Sequence, residues 1–136
     1  MGLFSKKNNE EANDYILLAS WLDDVLKNML PEGIIAFDFC LYEGSEGTYD
    51  IQLIGSDEFD ENDDDWACTD FFTTGENVCY LQRTKAIKDW EEGLSYIIKL
   101  LEHYLERGKY ADVLKGVTAV GVGFCDGDIN IIYTHP

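Results

Sequence analysis

Seven carboxylates fall within the nine residues from Asp57 to Asp65, and the run Ser56-Asp57-Glu58-Phe59-Asp60-Glu61-Asn62-Asp63-Asp64-Asp65 leads straight into Trp66. Clustered carboxylates are hard oxygen ligands, so calcium is the first chemistry to test. An EF-hand register begun at Asp60 places Asn62 and Asp64 at positions three and five. It then fails, because Asp65 stands where the glycine belongs and Phe71 where the bidentate glutamate belongs. A Ca²⁺-associated domain therefore ranks as the last alternative, and no metal or cofactor is expected. A solvated loop with no role is the plain reading of such a charge run. Phe59 and Trp66 point instead to recognition, with rings as desolvated anchors and carboxylates steering encounter with a basic surface.

The other reactive side chains do not assemble into a catalytic set. His103 lies on a helix in line with Tyr96 and Lys99, opposite the apolar stripe, and reads as a solvated surface residue. His135 is next to the last residue. The four cysteines (Cys40, Cys68, Cys79, Cys125) are widely spaced, with no Cys-x-x-Cys pair and no base or zinc spacing beside them. They are expected as reduced thiols. Gly121-Val122-Gly123-Phe124 precedes a hairpin rather than a helix, which argues against a phosphate loop. The expectation is a protein that is not an enzyme.

The balance of 10 basic against 27 acidic residues gives a formal charge of −17 over 136 residues. Such a field repels nucleic acid and anionic membranes and speeds encounter with basic proteins. An apolar fraction of 46% supplies a core, which argues against disorder. No secretory leader or membrane-spanning run is read, Lys6 breaks the myristoylation pattern, and the expected location is cytoplasmic.

The elements that must position the acidic run follow from periodicity. Residues 1–9 read as a flexible tail and residues 10–136 as a single α+β domain. Tyr15, Leu18, Ala19, Leu22, Val25, Leu26 and Met29 form the stripe of a first helix, with Trp21 on its flank and Pro31 and Gly33 ending it. In the next strand Ile35, Phe37, Phe39 and Leu41 alternate with a polar face that holds Asp38. A hairpin at Glu43–Gly47 leads to Thr48–Ile54, where Tyr49, Ile51 and Leu53 face the core. After the acidic run, Ala67–Thr73 and Val78–Arg83 read as two further strands. Asp89 and Glu92 have capping-box spacing before a second helix with the stripe Trp90, Leu94, Ile97, Ile98, Leu101 and Leu105, and Gly108 as its C′ residue. Tyr110–Lys115 adds one more helical turn. Asp126-Gly127 joins the last two strands, with Gly121 and Gly123 allowing close approach and Ile129, Ile131 and Tyr133 on one face. The order α-β-β-β-β-α-β-β predicts a two-layer sandwich, a mostly antiparallel sheet of about six strands with two amphipathic helices on one face.

The segment Gly55-Ser56-Asp57-Glu58-Phe59-Asp60-Glu61-Asn62-Asp63-Asp64-Asp65-Trp66-Ala67-Cys68, followed by the hairpin Val120–Asp128, resembles small acidic bacterial cytosolic proteins of polymorphic-toxin loci, which are similar to immunity proteins. The likeness covers most of the chain from the first strand onward and rests on the Asp-Asp-Trp-Ala-Cys run and the general layout. It implies a compact α+β domain that binds and blocks a cognate toxin, without transferring any site residue. With the charge, it implies a non-catalytic protein that occludes a basic toxin, and a nuclease would fit that charge. The expected contacts are Asp57, Glu58, Phe59, Asp60, Glu61, Asp63, Asp64, Asp65 and Trp66, with Glu43 and Glu46 nearby. The alternative is a phage or mobile-element inhibitor that mimics nucleic acid, but its carboxylates should spread over one face, and here they crowd into one loop.

Overall fold

Leu18, Leu22, Val25 and Leu26 line the buried side of a long first helix, at the spacings of three and four that define one helical face. The structure, a computed structural model, describes residues 2–28, 30–69, 71–84 and 87–136, with side chains from Glu10 onward. Helix α1 (Gly2–Lys27) takes in the backbone of residues 2–9, assigned above to a tail. Met29 of the stripe and Asp70 of the third strand lie outside the described residues. Trp21 packs on the core from its flank, and its indole N–H donates to Asn77 Oδ1 at 3.2 Å. Gly33 takes a positive φ of 97° after the helix, a conformation that glycine adopts without strain.

The elements then run β1 (Ala36–Gly44), β2 (Thr48–Ser56), a 3₁₀ helix (Asp64–Cys68), β3 (Phe72–Thr73), β4 (Cys79–Gln82), α2 (Trp90–Arg107), α3 (Ala111–Lys115), β5 (Ala119–Phe124) and β6 (Asn130–Thr134). The fold is α+β, with three helices and one open six-stranded sheet. Its path is β3-β2-β1-β5-β6, and β4 shares with β3 the outer edge of β2. Four of the pairings are antiparallel; β1 and β5 run parallel, so the sheet is mixed. A parallel pair needs a long crossover, and the helices between β4 and β5 provide it.

Phe37, Phe39, Leu41, Tyr49, Ile51, Leu53, Val120 and Val122 face α1, α2 and α3 and form one core with them. The helices are tied to each other by polar contacts. Tyr96 Oη donates to Asp14 at 2.5 Å, Tyr104 Oη to Asp23 at 2.7 Å, and Lys99 pairs with Glu11 at 2.7 Å. His103, expected to be simply solvated, is exposed but rests its ring 4.3 Å from that of Tyr15. Asp89 caps α2 by accepting from Glu91 N, two residues on, rather than from the amide of Glu92. Gly108 is needed for space, not for a left-handed turn: its φ is −66°, and a Cβ there would meet the Tyr104 ring at 2.5 Å.

Three expectations are corrected. The segment from Ala67 is not one long strand: Asp63 caps a 3₁₀ helix that runs to Cys68, leaving only Phe72–Thr73 to pair with β2. In β6 a register shift lies between Val120 and Gly121, whose partners are Tyr133 and Ile131. The extra residue, Ile132, breaks the period of two, so Ile131 lies over Gly121 on the outer face while Tyr133 packs against the core. Finally, the cysteines are not all thiols. Parallel alignment of β1 with β5 brings the Cα atoms of Cys40 and Cys125 to 5.1 Å, and the two are disulfide-bonded.

Cys68 is exposed and Cys79 is buried, where desolvation pushes its thiol up to about 12. Titration with a thiol-reactive dye, without reductant, should therefore label Cys68 rapidly in the native protein and add Cys79 only on denaturation. Rapid labelling of all four cysteines in the native protein would contradict the bridge.

Candidate functional site

The acidic loop grows out of the end of β2 and folds back over the outer face of the sheet. Its base is fixed by Ser56, whose buried hydroxyl donates to Trp66 O at 2.6 Å and lies 2.7 Å from Thr69 Oγ1. Trp66 is only 2% exposed, and Phe59 meets it edge-on with ring centroids 5.2 Å apart. The tryptophan is thus a seat for the loop and not an exposed contact, which corrects its expected role. The first large ring after the acidic run is buried rather than left in water, which stabilises the closed loop.

The carboxylates divide by task. Asp60 Oδ1 accepts from Asn62 N at 2.9 Å and Asp63 Oδ1 from Asp65 N at 3.0 Å, both local turns that fix the backbone. Asp64 Oδ2 accepts from Ile129 N at 3.1 Å and so clips the loop to the β5–β6 connection. Asp57, Glu58, Asp60, Glu61, Asp63, Asp64 and Asp65 all remain exposed, and Phe59 is half-buried. Their charge is therefore held outward on a loop fixed at several points. Among the described residues, no group of three or more His, Cys, Asp or Glu is arranged to hold a metal.

Asp38 lies beneath this loop. It is 4% exposed, its Oδ1 has no hydrogen-bond partner among the described residues, and burial first, then the Asp64 charge, raise its pKa from 3.8 to about 7. Its even position on β1 suggested solvent; the loop and the residues before β6 cover it instead. Gly121 and Gly123 make that closeness possible. A Cβ on Gly123 would stand 2.2 Å from Asp128 O, and one on Gly121 would stand 2.5 Å from Ile129 Cγ2. The expected close approach at these glycines is therefore observed, made by the chain's own backbone.

Glu43 and Glu46 do not join the acidic loop's origin. They sit at the β1–β2 turn, at the other end of nine-residue strands, about 26 Å from Ser56 at the usual rise per residue. Glu43 pairs with Arg83 at 3.2 Å, and the guanidinium also donates to Gly44 O. Glu43 instead borders a groove of about 920 Å³ where the carboxyl ends of β1 and β5 meet the first turn of α2. Tyr42, Trp90, Leu94, Phe124, Asp126 and Asp128 line it. Trp90, placed above in the core stripe, is 53% exposed, with its ring centroid 6.1 Å from that of Phe124. It is the first helical residue after the Asp89 cap, so it precedes the turn that packs on the sheet. No local sequence signal assembles this groove, because its walls come from segments far apart in the chain.

Comparison with protein-family models, curated proteins and solved structures returned no match. Among the described residues, no helix is long and apolar enough to cross a membrane.

Proposed function

We propose that this chain is a non-catalytic, cytoplasmic binding protein of the immunity type, which neutralises a basic toxin, such as a nuclease, by occluding it. The observation that carries this reading is the fixed acidic loop: carboxylates held outward by a buried tryptophan, a buried serine and backbone caps. A surface ordered before encounter loses less entropy on binding. Its field steers a basic partner, and its bulk blocks the partner's site. The acidic loop uses neither sulfur of the Cys40–Cys125 bridge, so the reading does not depend on the redox state of that pair.

The test is co-expression with the toxin reading frame beside its gene. The toxin alone should arrest growth, and this chain should restore growth while co-purifying with it as a stoichiometric complex. A toxin that stays active in the presence of excess folded chain contradicts the reading.

A further inference from the structure

The groove at the carboxyl ends of β1 and β5 has aromatic walls and an acidic rim. Tyr42 and Trp90 are both exposed there, Phe124 stands behind Trp90, and Glu43, Asp126 and Asp128 add three carboxylates. Among the described residues no lysine or arginine lines it, and neither Asp126 nor Asp128 is in an ion pair. Exposed aromatic faces beside unpaired carboxylates complement one ligand chemistry best, a planar cation that stacks on a ring and forks onto a carboxylate. The fold already holds such an arrangement next door, where Arg83 lies 5.8 Å from the Tyr49 ring centroid and pairs with Glu43. A volume of about 920 Å³ exceeds one side chain and accommodates a short peptide segment around it.

We propose that this groove receives an arginine-bearing peptide segment of the basic partner, with the guanidinium stacked on Trp90 and paired with Asp126 and Asp128. This rests on the reading of the chain as a binder of a basic protein. It adds a second contact, because Asp64 bonds to Ile129 N, next to Asp128, and so links the acidic loop to the groove's rim. The loop then supplies steering and the groove supplies the desolvated anchor that Trp66 cannot.

The test follows indole N–H signals by NMR while the folded protein is titrated with the blocked peptide acetyl-Gly-Gly-Arg-Gly-Gly-amide. The citrulline counterpart, equal in shape but neutral, is the control. Trp66 is buried and Trp21 is bonded to Asn77, so both serve as internal references. The arginine peptide should shift the Trp90 signal saturably, and the citrulline peptide should bind at least about tenfold more weakly. Trp90→Ala, at an exposed site, should weaken arginine-peptide binding about tenfold as read at the Asp126 and Asp128 amides. Equal shifts from both peptides would overturn the proposal. So would shifts confined to the amides of the acidic loop, a result that leaves the acidic-surface reading intact. Saturable binding at Trp90 with no toxin neutralised would uphold the groove and remove the immunity reading.

Discussion

Asp38→Asn should raise stability by about 2 to 4 kcal/mol at about pH 8 and change it little at about pH 4. Asp38 holds its proton up to about pH 7 when folded, against 3.8 for the ordinary carboxyl. Between those values the folded chain is protonated where the unfolded chain is not. The stability contributed by the neutral carboxyl is therefore full below about pH 4 and is lost as pH rises through about 7. The span of about three pKa units corresponds to a cost on the order of 4 kcal/mol once the group is charged. Asparagine keeps the shape and removes both the buried charge and its repulsion from Asp64. Urea unfolding of wild type and variant across this pH range reads the difference directly. A variant that stays no more stable than wild type at about pH 8 would show that the carboxylate is not confined under the loop.

Trp66→Ala should cost about 3 to 5 kcal/mol, the usual range for deleting a buried aromatic ring. Its larger consequence is local. Removing the ring deprives Phe59 of its packing partner and loosens the segment held through Ser56 and Asp64. The Ile129 amide, bonded to Asp64, should then exchange with solvent far faster than the β1–β5 amides, and affinity for the basic partner should fall with it. Trp66→Phe should retain most of the protection. Unchanged protection of Ile129 in the alanine variant would mean that the loop is seated by something other than this ring.

Much of the fold was legible because local periodicity reports one buried face. The α1 stripe, the odd positions of β1 from Phe37 to Leu41, and Tyr49, Ile51 and Leu53 of β2 all pack as their spacing indicates. Alternation says nothing about what covers the other face, however. Asp38 sits on a polar period that normally meets water, and its burial comes from a loop returning after β2. The parallel pairing of β1 with β5 is likewise invisible locally, and with it the approach of Cys40 to Cys125 and the groove where these strands end. The exposed carboxylates were read directly from the run itself. Trp66 was misplaced for a physical reason: an aromatic beside a charge cluster can face a partner or close over a sheet, and only the sheet's uncovered outer face decides between them.

The central claim is that the outward carboxylates of the fixed loop steer a basic partner. Its most direct test compares wild type with the combined variant Asp57→Asn, Glu58→Gln, Glu61→Gln and Asp65→Asn. This set leaves the backbone-capping Asp60, Asp63 and Asp64 in place. Stopped-flow association with the cognate toxin should slow by about tenfold or more for wild type between about 0.05 and 0.5 M salt, and far less for the variant. Wild-type rates that are the same at low and high ionic strength would contradict it.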